Sequence, residues 1–206
     1  MKAVLNCVLV ASFSLSLCDC TCPHELAQNR NHPEVPLRAT IHLLASTNWQ
    51  ERAGVYFDIQ QRASDGMRAS EEDLDLLGIG LNDCHVGVRH VAAETVKIIG
   101  PPAQRLAPLL FRCLQAEDES SGMMMQALLR MGDRVSVPYF RDLVHSDNVR
   151  FKRWGVWGLQ ETHADRPAVL KLLKTELEER QGHHVASEAD LIEDLKTAIG
   201  NIEKGH

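Results

Sequence analysis

Hydrophobic residues recur along this chain at intervals of three and four, the spacing that gathers them on one face of an α-helix. Leu37, Thr40, Ile41 and Leu44 make a first stripe, and Trp49, Ala53, Tyr56, Phe57 and Gln60 a second. Ala63 to Ala69 breaks the pattern as a loop. Ser70 with Glu71, Glu72 and Asp73 then forms a helix start of the capping-box kind, its acidic side chains at the positive end of the helix dipole. The spacing predicts a short helix from there to Leu77, ended by Gly78 and Gly80. Val88, Val91, Ala92, Thr95, Val96 and Ile99 form the clearest stripe, stopped by Gly100-Pro101-Pro102, and Ala103, Leu106, Ala107, Leu110, Cys113 and Leu114 form the next. So short a turn predicts that these two helices pack antiparallel on one another.

The pattern then repeats. A shift of ~63 residues lays Val88 on Phe151, Val91 on Trp154, Ala92 on Gly155, Leu106 on Val169, Leu110 on Leu173 and Leu114 on Leu177. That is two units of ~31 residues, and a looser copy fills the gap. Ser121, Met124, Met125 and Leu128 supply its first stripe, Gly132 its turn, and Val137, Phe140 and Val144 its second, with Pro138 standing where Pro108 stands before. Met123-Met124-Met125 reads as core filling, the competing reading being an adaptable binding surface. A closing helix runs from a cap at Ser187 through Leu191, Ile192, Leu195 and Ile199 to Gly200. Strand-type alternation is missing and aromatic content is 5%, so helices must bury most of the 44% of residues that are hydrophobic. The expected fold is all-α: a short α-solenoid of antiparallel helix pairs over residues 36–200 with a C-terminal capping helix, then a tail at 201–206.

The N-terminal residues read differently. Lys2 followed by the apolar run Ala3 to Leu17 has the length and polarity of a signal peptide, so residues 1–17 are expected to direct export to the periplasm or cell envelope. Residues 18–35, with Pro23 and Pro33 and little apolar pattern, read as a linker. Leu15-Ser16-Leu17-Cys18 resembles a bacterial lipobox, with bulky Leu17 where a small residue normally precedes the lipid-bearing cysteine. Lipidation of Cys18, giving a membrane-anchored lipoprotein, therefore stands beside ordinary cleavage after Cys18 or Cys20. Asp19 after a lipidated Cys18 resembles the residue that marks retention at the inner membrane.

Asn82-Asp83 followed by Val88-Arg89 and the turn Ile99-Gly100-Pro101, and again Asp147-Asn148-Val149-Arg150, resemble HEAT-like repeats of the phycobilisome-lyase type over residues 82–177. The unit is shorter than the ordinary HEAT repeat, and the middle copy lacks the Val-Arg pair. The resemblance implies a buried structural ladder in which Arg89 and Arg150 meet Asp83 and Asp147 from inter-repeat turns. It also implies that second helices line a concave side. Opposite the apolar stripes of those helices sit Arg105, Arg112, Tyr139, Lys171 and Lys174, so the expected partner-binding surface is a basic strip with a central tyrosine, suited to an acidic segment of another protein.

Composition narrows the function. The net charge of −6 opposes nucleic-acid binding, which needs a basic surface to release counterions. Cys18, Cys20, Cys22 and His24 are soft ligands at a spacing that suits neither a paired zinc site nor haem attachment, and the ten histidines form no helical ligand pair, so no metal is expected. No nucleophile elbow, Walker loop or dinucleotide fingerprint occurs, and neither an enzyme activity nor a cofactor is expected. Cys84 and Cys113, at ends that antiparallel packing would join, are read either as a disulfide or as two small buried thiols. The expected function is a non-enzymatic, exported protein-binding scaffold, with membrane contact only through a lipid at Cys18. The alternative is a chromophore-lyase-like subunit, a cytoplasmic task in the family resembled. A DNA-reading HEAT-like protein would need the basic groove that the charge denies.

Overall fold

The computed structural model describes residues 41–116, 121–163, 165–181 and 188–205. The expected signal peptide, linker and Cys18 lie outside the described residues, as do the start of the first predicted helix and the Ser187 cap. Among the described residues a 3-10 turn, His42–Ala45, leads into nine α-helices: α1 Trp49–Ser64, α2 Glu71–Leu81, α3 Val86–Ile99, α4 Ala107–Leu114, α5 Ser121–Arg130, α6 Asp133–Val144, α7 Val149–Glu161, α8 Arg166–Gln181 and α9 Ala189–Lys204. There is no strand among the described residues, so the protein is all-α there.

Local chemistry sets the helix starts. Asn48 Oδ1 accepts from Gln50 N at 3.0 Å, Asn148 Oδ1 from Arg150 N at 2.9 Å, and His85 Nδ1 from Gly87 N at 3.1 Å. At α2 the Ser70 hydroxyl accepts from Asp73 N while the Asp73 carboxylate accepts from Ser70 N, so both ends of the capping box close. Gly100 and Gly132, with φ of 69° and 93°, make the turns after α3 and α5 in a backbone region that side chains rarely adopt.

Each odd-numbered helix from α3 onward packs on the even helix before it, giving the pairs α2/α3, α4/α5, α6/α7 and α8/α9. Odd helices also pack on one another, α1 on α3, α3 on α5, α5 on α7 and α7 on α9, while α2 touches α4 and α4 touches α6. A single apolar core runs through all of them, from Tyr56 and Leu77 through Val88, Leu110, Met124 and Phe140 to Leu173 and Leu195. Met124 and Met125 are buried in it.

Three sequence expectations are corrected. Helix α3 packs on α1, α2 and α5, and α4 packs on α5, in place of the predicted α3/α4 pair. The connection is longer than the Gly-Pro-Pro turn suggests, because Pro101–Leu106 winds into a 3-10 segment that carries α4 away from α3. Helix α2 continues through Gly78 and Gly80 to Leu81, which is fully buried. Gly80 serves packing there: a Cβ on it would lie 2.5 Å from the Tyr56 ring and 2.9 Å from Ala92. The closing helix passes Gly200 to Lys204, since Ile202 is still buried, so most of the expected tail is helix.

At the α6/α7 contact two backbones come close. A Cβ on Gly155 would stand 2.6 Å from Val144 N and 2.7 Å from Phe140 O, and one on Gly158 would strike the Phe140 ring. Gly155→Ala should therefore force the two helices apart and destabilise by about 1–3 kcal/mol. Gly54→Ala on α1, where nothing stands within 4 Å, should stabilise by about 0.5–1 kcal/mol through helix propensity alone. Urea unfolding midpoints at constant slope check both, and equal effects of the two substitutions would contradict the packing assigned to Gly155.

Candidate functional site

A basic residue occupies the fourth position of α1, α3 and α7: Arg52, Arg89 and Lys152. Each reaches back to the chain that leads into its own helix. Arg52 Nη1 donates to Ser46 O at 2.8 Å, Arg89 Nη1 to Asp83 O at 2.7 Å and Cys84 O at 3.0 Å, and Lys152 Nζ to Val144 O at 3.2 Å. Two of them also hold a buried carboxylate from farther along the chain. Arg52 grips Asp83 with Nε and Nη2 at 2.7 and 2.8 Å, and Lys152 Nζ lies 2.9 Å from Glu176 Oε1, all four side chains being under a tenth exposed. Asp83 accepts as well from His85 N at 2.8 Å, so one carboxylate joins α1 to the start of α3. His85 in turn stacks flat on Trp49 with ring centroids 4.4 Å apart.

The structure thus places Asp83 in a buried ion pair, and its guanidinium is that of Arg52, while Arg89 binds the Asp83 main chain. Asp147 and Arg150 do not form a second buried rung, since both are exposed; Arg150 lies over the Trp154 ring at 4.9 Å. The repeat shift itself pointed elsewhere, moving Arg89 onto Lys152.

The residues of the predicted strip lie on or just before the even helices and are mostly held by their neighbours. Arg105 donates to Glu71 O and Asp75 Oδ1, both at 2.8 Å, and Arg112 donates to Asn82 Oδ1 at 2.8 Å, so both fasten the α4 region to α2. Lys174 pairs with Glu203 of α9 at 2.7 Å. The half-buried ring of Tyr139 packs against Phe111 with centroids 4.9 Å apart, and Lys171 is exposed.

The odd helices carry a different surface. A hollow of about 570 Å³ is lined by Arg150, Arg153, Trp154, Trp157, Gln160 and Asp194, and a second of about 450 Å³ by Lys97, Ile98, Gln126, Leu129, Arg130, Trp157 and Glu161. Trp157 is common to both and stands 41% exposed between them, with Ile98 also at the surface. Arg153 is oriented by Asp190 and Asp194 of α9. The result is a groove across α3, α5, α7 and α9 with an aromatic centre and charges of both signs along its margin. Sequence reading missed it, although the shift of ~63 residues lays Trp157 on Glu94, an indole where the companion copy is polar.

Cys84 lies in the α2–α3 turn, and Cys113 lies on α4. Cys113 Sγ donates to Leu81 O at 3.1 Å, and Cys84 Sγ lies 3.7 Å from Asp83 Oδ1. Among the described residues no group of His, Cys, Asp and Glu could hold a metal ion, and no helix is long and apolar enough to cross a membrane. In comparisons with known proteins the chain matches no family model and no curated protein.

Among the described residues, three buried carboxylates are held below their usual range. Burial by itself would raise Asp83, but hydrogen bonds from Arg52 and from His85 N–H, with the Arg52 charge, hold it below the usual aspartate range. Asp73 is lowered despite burial by Arg62 and Ser70, and Glu176 by Lys152 and Arg180. Each folded-state value lies below the unfolded one, so the unfolded chain binds more protons in this window. Their stabilisation is present above about pH 4–5 and is lost as pH falls through the lowered values. Asp83→Asn should flatten the loss of stability between pH 5 and 3, in urea titrations, relative to the parent. Asp83→Ala at pH 7 should cost about 3–5 kcal/mol by stranding buried Arg52, whereas Arg52→Met with Asp83→Leu should cost much less; equal costs would show that the pair has no buried charge to strand.

Proposed function

We propose that this chain is a non-enzymatic protein-binding scaffold, exported to the cell envelope, whose helices form a HEAT-like α-solenoid of antiparallel pairs. Three observations support the solenoid reading: the packing of alternate helices on one another, the recurrence of α3/α4 in α7/α8, and the basic residue repeated at the fourth position of α1, α3 and α7. Export rests on the sequence pattern of residues 1–17 alone.

The binding role rests chiefly on the groove of the odd helices. Exposed Trp157 is a costly residue to leave in water, and an indole between two hollows is the kind of anchor that carries binding energy at protein interfaces. The even-helix strip offers less, because Arg105, Arg112 and Lys174 already have partners within the chain.

Photocrosslinking in the producing cell tests this. A photoreactive side chain in place of Gln160, at the groove, should give a discrete adduct with another envelope protein, and one in place of exposed Glu72 on α2 should not. A discrete adduct from Lys171 alone would return the binding face to the even helices, and no adduct from either face would contradict the scaffold function.

A further inference from the structure

We infer that the odd-helix groove pairs with the groove of a second copy of this chain, as a weak two-fold dimer that a partner protein must displace. This rests on the scaffold reading, whose binding face it shares, and names what covers that face when no partner is bound. Charge selects the occupant. On the α3/α5 side of Trp157, Lys97 and Arg130 stand against Glu161. On the α9 side Arg153 stands against two carboxylates, Asp190 at 3.2 Å and Asp194. Arg150, in the same hollow, lies over the Trp154 ring and is engaged within the chain.

Apart from Arg150, these charges cancel over the face as a whole and not across it: two cations meet one anion on the first flank, and one cation meets two anions on the second. A segment of one sign is attracted by one flank and repelled by the other. A second copy fits both. A two-fold axis passing beside Trp157 lays the positive flank of each chain over the negative flank of its mate, so each favourable contact occurs twice.

Shape agrees with charge. Trp157 projects between hollows of about 570 and 450 Å³. Cavities of ~300–1,000 Å³ seat drug-sized groups, so either hollow has room for an indole. The chain thus carries both a projecting aromatic and a recess for it, the two halves of a self-contact. Size sets its strength. Helix steps of ~8–10 Å give a width of roughly 24–30 Å from α3 to α9, and α5 and α7, of 10 and 13 residues, rise roughly 15–20 Å. The face is therefore roughly 400–600 Å² per copy, below the ~800 Å² of a standard stable interface. Such a dimer dissociates on dilution, which leaves Trp157 open to a partner.

Sedimentation equilibrium of the purified chain over a concentration series should show monomer and dimer in exchange. Trp157→Ala, Arg130→Glu and Asp190→Lys alter exposed side chains, so melting temperatures should stay near the parent's. Each should weaken the dimer about tenfold. Arg130→Glu makes both flanks negative and Asp190→Lys makes both positive, so neither variant matches itself. Mixed, the two should form a heterodimer about as tight as the parent dimer. A chain that stays monomeric at every concentration, a dimer indifferent to Trp157→Ala, or a mixture that fails to recover would each overturn the assignment. The scaffold is judged separately, by the adducts formed at Gln160 in the cell. An adduct with a different protein from a chain that never dimerises leaves the scaffold standing and ends the dimer; a dimer without such an adduct does the reverse.

Discussion

A buried cation at the fourth position of an odd helix is the constraint on which the helical stack depends. Such a charge is expensive to remove from water, and it is tolerated only where carbonyl and carboxylate oxygens converge on it. Arg52 meets this demand with Ser46 O and both oxygens of Asp83, and Lys152 with Val144 O and Glu176. Satisfying the charge fixes the entry of the helix, and the carboxylate fixes the register of the element that supplies it. Asp83 ties the α2–α3 turn to α1, and Glu176 ties α8 to α7 through the ion pair. Apolar stripes alone would let these helices slide, because leucine on leucine specifies little about rotation; paired charges remove that freedom. The helix α5 carries Met124 at the same position, buried in the core, where an apolar side chain takes the place of the cation.

Much of the fold was legible because the stripes and their stops are local. The run from Val88 to Ile99, the turn at Gly132, the capping box at Ser70 and the copy of α3 in α7 all follow from residue spacing. What sequence did not disclose was which helix faces which. The Gly100-Pro101-Pro102 turn looks like a hairpin between helices, but a 3-10 segment after it turns α4 toward α5. Glycine carried the same ambiguity. Gly80 and Gly155 read as breakers or as plain stripe members, yet their task is to let Tyr56 and the backbone of α6 come close, and a contact with a distant element leaves no local trace. The ladder shows a further limit. Arg89 and Asp83 are neighbours in sequence and look like partners, while the carboxylate in fact belongs to Arg52, on the helix two before.

The candidate site illustrates how charge on a helix face divides between structure and function. Arg105 and Arg112 are outward-facing in sequence, and a helical wheel cannot tell that α2 supplies Asp75 and Asn82 to meet them. Arg105 is thereby ion-paired within the chain, and Arg112 is held by a neutral amide. On the odd helices, Arg130 and Arg150 line hollows on either side of an indole that the core does not cover. We propose that an exposed aromatic residue so placed serves recognition more than folding.

Hydroxyl-radical footprinting of the chain alone and in a complex captured by crosslinking bears most directly on the proposal that the odd-helix face is the binding face. Trp157, Phe57 and Met67 are 41%, 51% and 50% exposed, so all three report oxidation in the unbound chain. Complex formation should protect Trp157 and leave Phe57 and Met67 as reactive as before. Protection of Phe57 or Met67 with Trp157 unchanged would place the partner on another surface and contradict the account.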